Sequence, residues 1–279
     1  MVLIPAGSFK MGNCMSSSDG NSDELPLHSV YVSAFYMDKY DVTYTLWKSV
    51  YNWTTNHRYS FDLARMCKAA NHPIQSIYWY DCVKWCNARS EKEGKVPAYY
   101  TSAMQTMVYR TGQVDVDNNS VKWNAGYRLP TEAEWEKAAR GGASGNRFLW
   151  GNTISESQAN YFSSSSSYVY DLSNTGYNPT FGTGNNPYTS PVGYFAPNRY
   201  GLYDMAGNVW QWCWDWHGSY SSAPQTDPHG PTSGVGRVYR GSCCNSDAFG
   251  CRSAHRYDGA PIYISSQFIG FRSVLYSGQ

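Results

Sequence analysis

Cysteine side chains are the groups in this sequence best suited to chemistry, because a thiolate can ligate a soft metal ion or act as a nucleophile. The chain has eight cysteines. Cys82 and Cys86 stand four residues apart, which places them on one face of a helix. A metal site there needs two further ligands, and none stands at a suitable spacing. We therefore predict that Cys82 and Cys86 form a buried apolar pair.

Three more cysteines lie close together near the C-terminus. Cys243 and Cys244 are adjacent, so their side chains point apart if the backbone is extended, and Cys251 follows Cys244 by seven residues. His255 lies nearby, but the sequence offers it no evident partner as a base or a ligand. We interpret His255 as a residue that is displayed for contact.

Glu134 could act as an acid or a base, but its spacing favours a structural role. It stands three residues after Thr131, and the two form a capping box at the start of a helix that Gly141 ends. We favour this interpretation over a catalytic one.

The composition excludes several classes of partner. The formal net charge is +1 and only 15% of the residues are charged, so there is no basic surface for nucleic acid and no polybasic membrane patch. No apolar run approaches the roughly 20 residues of a membrane span, and Met1 leads into no basic or long apolar stretch of a signal peptide. We expect one domain over residues 1–279, without a transmembrane segment.

The elements that must position these side chains are few. Hydrophobic patterning predicts strands near residues 2–12 and 27–37, and helices that begin at Thr43, at Ser76 or Asp81, and at Thr131. A hairpin insertion is expected over 98–125 and a long functional or metal-pinned loop over 143–200. Tryptophan occupies every second position from 210 to 216, which predicts a strand with all four tryptophan side chains on one face.

Residues 240–272, called the variable segment below, have an irregular middle between two strand-like ends. Arg237-Val238-Tyr239 precedes the segment, and Phe271 to Tyr276 overlaps its end; both stretches have the β-branched and aromatic content of strands. Glycine and proline interrupt the middle, so a scaffold must support it.

Four motifs carry a resemblance to a known family. They are I-P-A-G-S-F-K-M-G, Y-R-L-P-T-E-A-E-W-E-K-A-A-R-G-G, G-L-Y-D-M-A-G-N-V-W-Q-W and the ending R-G-S…C-R-S-A-H-R…G-F-R. In this order they resemble the formylglycine-generating-enzyme (sulfatase-modifying factor) family over almost the whole chain. The resemblance implies an α+β, C-type-lectin-like fold with little regular secondary structure and helices that flank an antiparallel sheet.

The resemblance also implies where an enzyme of this family holds its metals. Two cysteines a few residues apart bind copper in the family's oxidases, and the adjacent Cys243 and Cys244 depart from that spacing. We therefore predict no catalysis; a copper-dependent formylglycine-generating oxidase, or a related oxidase of the same fold, is the alternative. The family's calcium loop corresponds to Asp204, Gly207, Val209 and Gln211. Because Gln211 replaces a carboxylate, a weak calcium site and a plain hydrogen-bonding role for Gln211 stand as equal expectations.

Residues of the variable segment that do not match the family motifs share a codon property. All but Gln267 can be encoded by changing the adenines of an asparagine codon, which resembles adenine-specific diversification in diversity-generating-retroelement proteins such as the treponemal variable protein. We predict that these residues face outward and bind a ligand: Cys243, Cys244, Asn245, Ser246, Asp247, Phe249, Gly250, His255, Tyr257, Asp258, Gly259, Ala260, Ile262, Tyr263, Ile264, Ser265, Ser266, Gln267 and Phe268.

The predicted function is recognition without chemistry. Rigid aromatic anchors and adaptable polar side chains divide the contacts as they do in antibody loops, while Gly241, Arg252, Ser253, Ala254, Arg256, Gly270 and Phe271 hold the backbone. The expected partner is a protein or another surface ligand, and the expected location is the cell surface or outside the cell, with anchoring through a segment outside this chain. No cofactor is required, although calcium is compatible with the sequence. A structural adhesin without a varied site is a further alternative.

Overall fold

The computed structural model describes residues 1–62, 67–184, 186–262 and 268–278. Within these ranges the α-helices are α1 (Tyr44–Thr54), α2 (Trp79–Lys92) and α3 (Glu132–Arg140), and short 3-10 helices cover Ser17–Asp19, Ser22–Glu24 and Asn118–Ser120. The strands are β1 (Val2–Ile4), β2 (Gly7–Met11), β3 (His28–Val32), β4 (Phe35–Met37), β5 (Tyr127–Arg128), β6 (Phe162–Ser163), β7 (Gly176–Tyr177), β8 (Gly182–Thr183), β9 (Asn186–Pro187), β10 (Trp210–Trp216), β11 (Gln225–Thr226), β12 (Arg237–Arg240), β13 (Arg256–Gly259), β14 (Ile269–Gly270) and β15 (Val274–Tyr276).

Small sheets and three helices make up an α+β fold, as predicted. One sheet has the order β1-β4-β15-β5 and a second has the order β13-β12-β10-β14. In the second sheet β10 pairs with β12 in antiparallel fashion on one side and with β14 in parallel fashion on the other. A third sheet has the order β11-β3-β2, and β6 with β7 and β8 with β9 form two sheets of two strands each. The second sheet carries both ends of the variable segment.

Helix α3 begins and ends as its sequence predicts. The Glu134 backbone N–H donates to Thr131 Oγ1 at 3.2 Å, and the Thr131 N–H donates to Glu134 Oε2 at 2.8 Å, which completes the capping box. Arg128 also binds the Glu134 carboxylate through both terminal nitrogens, at 2.7 and 2.6 Å. Gly141 ends the helix with a φ of 58°, which a residue without Cβ adopts at low cost. The structural interpretation of Glu134 is confirmed.

The caps predicted for the other two helices have different outcomes. Thr43 caps α1 by accepting from the Leu46 N–H at 3.2 Å, as predicted. The predicted cap of α2 is wrong, because Tyr78 occupies that position without a side-chain hydrogen bond. Asp81 instead lies inside the first turn, where its carboxylate pairs with Lys84 at 2.9 Å.

Three further sequence predictions have mixed outcomes. Cys82 and Cys86 are fully buried, which confirms the apolar pair. The four tryptophans lie on strand β10 as predicted, but the residues between them are buried as well. Both faces of this strand therefore pack in the interior. The predicted hairpin over 98–125 is reduced to isolated bridges, such as Tyr99 with Val121.

Among the described residues, no helix combines the length and the apolar character that crossing a bilayer requires.

Candidate ligand-binding site

Strand β13 runs through the middle of the variable segment and gives it a fixed register. It pairs with β12 so that Tyr257 lies opposite Tyr239 and Arg256 lies opposite Arg240. Because side chains alternate along a strand, the tyrosines share one face and the arginines share the other. The tyrosine rings lie 5.5 Å apart, and Trp210 packs 5.2 Å from Tyr239. No periodic pattern in the sequence predicted this short strand.

Buried arginines hold the backbone of the variable segment from below. Arg240 donates to the carbonyl oxygens of Ala254 at 2.7 Å and His255 at 2.5 Å, and it pairs with Glu136. Arg256 binds both carboxylate oxygens of Glu132, at 2.9 and 2.6 Å. Guanidinium groups suit this task because their fixed fork of donors matches carboxylates and carbonyls. The predicted supporting role of the family residues agrees with this arrangement.

Gly241 opens the segment where no side chain fits. Its φ is 93°, and a Cβ at this position would lie 2.9 Å from the Trp135 ring. Its carbonyl oxygen accepts from the Gly207 N–H at 2.7 Å. The turn therefore joins the start of the variable segment to the loop that precedes β10.

An open pocket of about 480 Å³ lies beside β13, and we call it the candidate pocket. Trp210 lies 5.8 Å from His255 and 6.2 Å from Tyr257, measured between ring centres. Phe162 and Tyr177 meet edge to face at 4.9 Å. The lining residues are Phe162, Tyr177, Trp210, Asn245, Ser246, Asp247, Phe249, Gly250, His255 and Tyr257.

Nine of the predicted ligand-binding residues are exposed or half-buried, as expected for displayed side chains. Tyr257 is 53% exposed and Ile262 is 50% exposed. The nine are Asn245, Ser246, Asp247, Phe249, Tyr257, Asp258, Gly259, Ala260 and Ile262.

The expectation that every varied side chain faces outward is wrong for five residues: Cys243, Cys244, Gly250, His255 and Phe268 are buried. Cys243 and Cys244 pack in the main aromatic core together with Phe268. His255 and Gly250 still line the candidate pocket from below. The predictions for Tyr263, Ile264, Ser265, Ser266 and Gln267 lie outside the described residues.

Three residues of the candidate pocket were not found from the sequence. Phe162 and Tyr177 come from the long stretch 143–200, and Trp210 comes from the start of β10. The Phe162 N–H donates to the Ser246 carbonyl at 2.8 Å, which ties this stretch to the variable segment. The length of that stretch was the only signal of a functional role, and it did not indicate which residues take part.

An ion pair beneath the pocket supports its floor. Arg252 binds both oxygens of Glu24 at 2.7 Å, and His255 Nδ1 lies 3.5 Å from Glu24 Oε1. Burial favours a raised pKa for Glu24, but hydrogen bonds from His255 and Arg252 and the arginine charge outweigh it, and the pKa falls to about 2. Burial lowers the pKa of His255, so its ring is neutral near pH 7.

We expect the ion pair of Glu24 to make stability depend on acid pH. Because the pKa of Glu24 is lower in the folded chain, its contribution is complete above pH 4.5 and is lost as the pH falls towards about 2. At about 1.4 kcal/mol per pKa unit this amounts to roughly 3 kcal/mol. Urea unfolding of the wild type and Glu24→Gln at several pH values measures the effect. The difference between the two proteins should shrink as the pH falls, and parallel curves would contradict the assignment.

Three cysteines near the pocket have buried thiols. Cys243, Cys244 and Cys251 are all buried, and burial raises the pKa of the Cys244 and Cys251 thiols. The Cys243 thiol donates to Asn245 Oδ1 at 2.8 Å. A thiolate rather than a thiol binds metal. In the described part of the chain no group of three or more His, Cys, Asp or Glu side chains could hold a metal ion.

Gln211 does not fit the role of a calcium ligand. Its Oε1 accepts from Trp135 Nε1 at 2.7 Å and from Arg272 Nε at 2.8 Å, while its Nε2 donates to the Asp204 carbonyl at 2.8 Å. Burial raises the pKa of the Asp204 carboxyl to about 6, and the Gly193 N–H binds one of its oxygens. This geometry agrees with the expectation that Gln211 hydrogen-bonds the loop. Asp204, Gly207 and Val209 lie together on that loop.

The family model for the sulfatase-modifying factor enzyme 1-like domain matches residues 1–276. The chain belongs to this family. The motifs of the sulfatase-modifying factor enzyme 1-like domain thus predicted the family and its fold correctly.

The proteins similar to this chain have names that describe different functions. The chain is 33% identical over 303 residues to the formylglycine-generating enzyme of Thermomonospora curvata. This alignment covers 98% of this chain and 92% of that enzyme. It is 32% identical over 280 residues to the serine/threonine-protein kinase pkn1 of Chlamydia pneumoniae, covering 98% of this chain but only 37% of the kinase. The solved structure of Treponema denticola variable protein 1 superposes with a TM-score of 0.71 at 29% identity and covers 99% of this chain and 94% of that one.

Proposed function

We propose that this chain is a surface-displayed, variable ligand-binding protein whose candidate pocket performs recognition without catalysis. The observation that carries the proposal is that most residues lining the pocket were predicted to vary. Seven of its ten residues belong to the set singled out by codon composition: Asn245, Ser246, Asp247, Phe249, Gly250, His255 and Tyr257. Residues selected without any structural information thus converge on one cavity.

The support beneath the pocket is consistent with diversification. The arginines at 240, 252 and 256 bind either backbone carbonyls, which every residue has, or the acids Glu24 and Glu132, which lie outside the varied set. Substitution of an exposed varied side chain therefore leaves these bonds in place. The likeness to Treponema denticola variable protein 1 supports the proposal, since that protein is named as variable. The proposed ligand is a protein or another surface molecule, and the proposed anchor lies in a segment outside this chain.

Sequencing copies of this gene from sibling isolates tests the proposal. We expect substitutions to concentrate at the nine exposed or half-buried varied residues, because these can change without disturbing the core. Residues 127–142, which hold α3 and its caps, serve as the internal control and should stay nearly constant. Equal variability in residues 243–268 and in the rest of the chain would contradict a diversified binding site.

An assay for aldehyde formation tests the enzymatic alternative. Copper-loaded protein, oxygen and a sulfatase-type cysteine peptide would be incubated together, with the Thermomonospora curvata enzyme as the positive control. We expect no aldehyde, because the buried thiols of Cys243 and Cys244 are poorly placed for the reaction. Aldehyde formation above that of a metal-free control would overturn the non-catalytic assignment.

A further inference from the structure

Aromatic rings form much of the wall of the candidate pocket. Trp210 and Tyr257 stand on one side, while Phe162 and Tyr177 come from another part of the chain. The faces of such rings attract positive charge within about 6 Å of the ring centre, tryptophan most strongly. A pocket with these walls favours a cation over an anion.

Asp247 supplies the only acidic side chain among the ten residues lining the pocket, and none of the ten is lysine or arginine. Tyr168 Oη donates to Asp247 Oδ2 at 2.6 Å, and the Gly250 N–H lies 3.3 Å from Asp247 Oδ1. These bonds fix the carboxylate, and its two oxygens together can accept about four hydrogen bonds. Asp247 thus retains the capacity to bind a ligand donor.

Neighbouring groups do not cancel this negative charge. The Arg252 guanidinium lies 3.9 Å from the centre of the Phe249 ring, but the same guanidinium is paired with Glu24 through two bonds. The His255 ring is neutral near pH 7, because burial lowers its pKa. Among the described residues the pocket is therefore aromatic with one net negative charge.

We infer that the candidate pocket of this chain binds the cationic side chain of a protein partner, an arginine or a lysine. This inference rests on the proposed function and names the ligand class for the same site. Asp247 belongs to the varied set, whereas Phe162, Tyr177 and Trp210 do not. The rings of Phe162, Tyr177 and Trp210 thus lie outside the diversified positions, and Asp247 sets the preference for positive charge in this copy of the site.

Saturation-transfer NMR with two small probes tests the inference. N-acetyl-arginine methylamide carries the guanidinium, and its citrulline counterpart is nearly isosteric but neutral. On the full chain we expect the arginine probe to bind roughly tenfold more tightly or better, because hydrogen bonds between two charged groups are stronger than those from a neutral donor. Asp247→Asn should remove this preference, and Tyr257→Leu should weaken binding of the arginine probe by removing a ring face.

The controls separate this inference from the proposed function. Asp115→Asn removes an exposed acid outside both the varied set and the candidate pocket, and it should leave the preference for arginine unchanged. Thermal melting of each variant checks that it is folded. Equal binding of the two probes, or no binding of either, would overturn the cationic ligand. The proposed function would then still be decided by the variability of sibling sequences.

Discussion

Replacement of Arg240 by methionine is expected to lower the free energy of unfolding by about 3–5 kcal/mol, the usual loss when one partner of a buried ion pair is removed. Arg240 is fully buried and pairs with Glu136, which is fully buried too. The substitution also leaves the carbonyl oxygens of Ala254 and His255 without this donor. Urea denaturation of the full chain measures the loss.

Two control variants help to interpret the loss of unfolding free energy in Arg240→Met. Arg199 is exposed, so Arg199→Met should change stability by no more than about 0.5 kcal/mol. Arg240→Lys retains the charge but lacks the fork of donors, and it should fall between the wild type and Arg240→Met. A loss below 1 kcal/mol in Arg240→Met would show that the arginine does not hold the variable segment.

Phe268→Ala is expected to cost about 3–5 kcal/mol, as truncation of a buried phenylalanine usually does. Phe268 is only 8% exposed and packs in the main core, although its codon composition placed it among the displayed residues. Ile262→Ala, in the same segment, is the matched control. Its side chain is half exposed, so the loss should stay near 1 kcal/mol or below.

The comparison between Phe268 and Ile262 tests whether the varied set divides into core residues and displayed residues. Thermal and urea unfolding of both variants give the two values. A large loss at 268 with a small loss at 262 supports a core role for Phe268 and display for Ile262. Similar losses at both positions would contradict that division and restore the uniform outward display expected from the sequence.

Local signals predicted local structure well in this chain. The capping box of Thr131 and Glu134 and the cap at Thr43 depend on residues within one helical turn, so the sequence alone determines them. The prediction of where α2 begins was wrong, because its cap position is occupied by Tyr78, which forms no side-chain hydrogen bond there. Tertiary packing overrides local preference in such cases.

The candidate pocket could be predicted only in part. Codon composition found seven of its residues, but it reports the origin of a residue and not its burial, so it also selected Cys243, Cys244 and Phe268. Phe162 and Tyr177 reach the pocket through contacts between distant parts of the chain, such as the bond from the Phe162 N–H to the Ser246 carbonyl. Such pairings between remote segments leave no periodic pattern in a single sequence.

Strand β10 has β12 on one side and β14 on the other, so the chain leaves this strand's neighbourhood at Arg240 and returns to it at Ile269. The described residues in between include β13, which pairs with β12, so the variable segment is held at its middle as well as at its two ends. The cost of closing a flexible loop rises by only about 0.6 kcal/mol for each doubling of its length. An insertion next to the exposed Ala260 is therefore expected to cost little stability, because it leaves β13 and β14 in place.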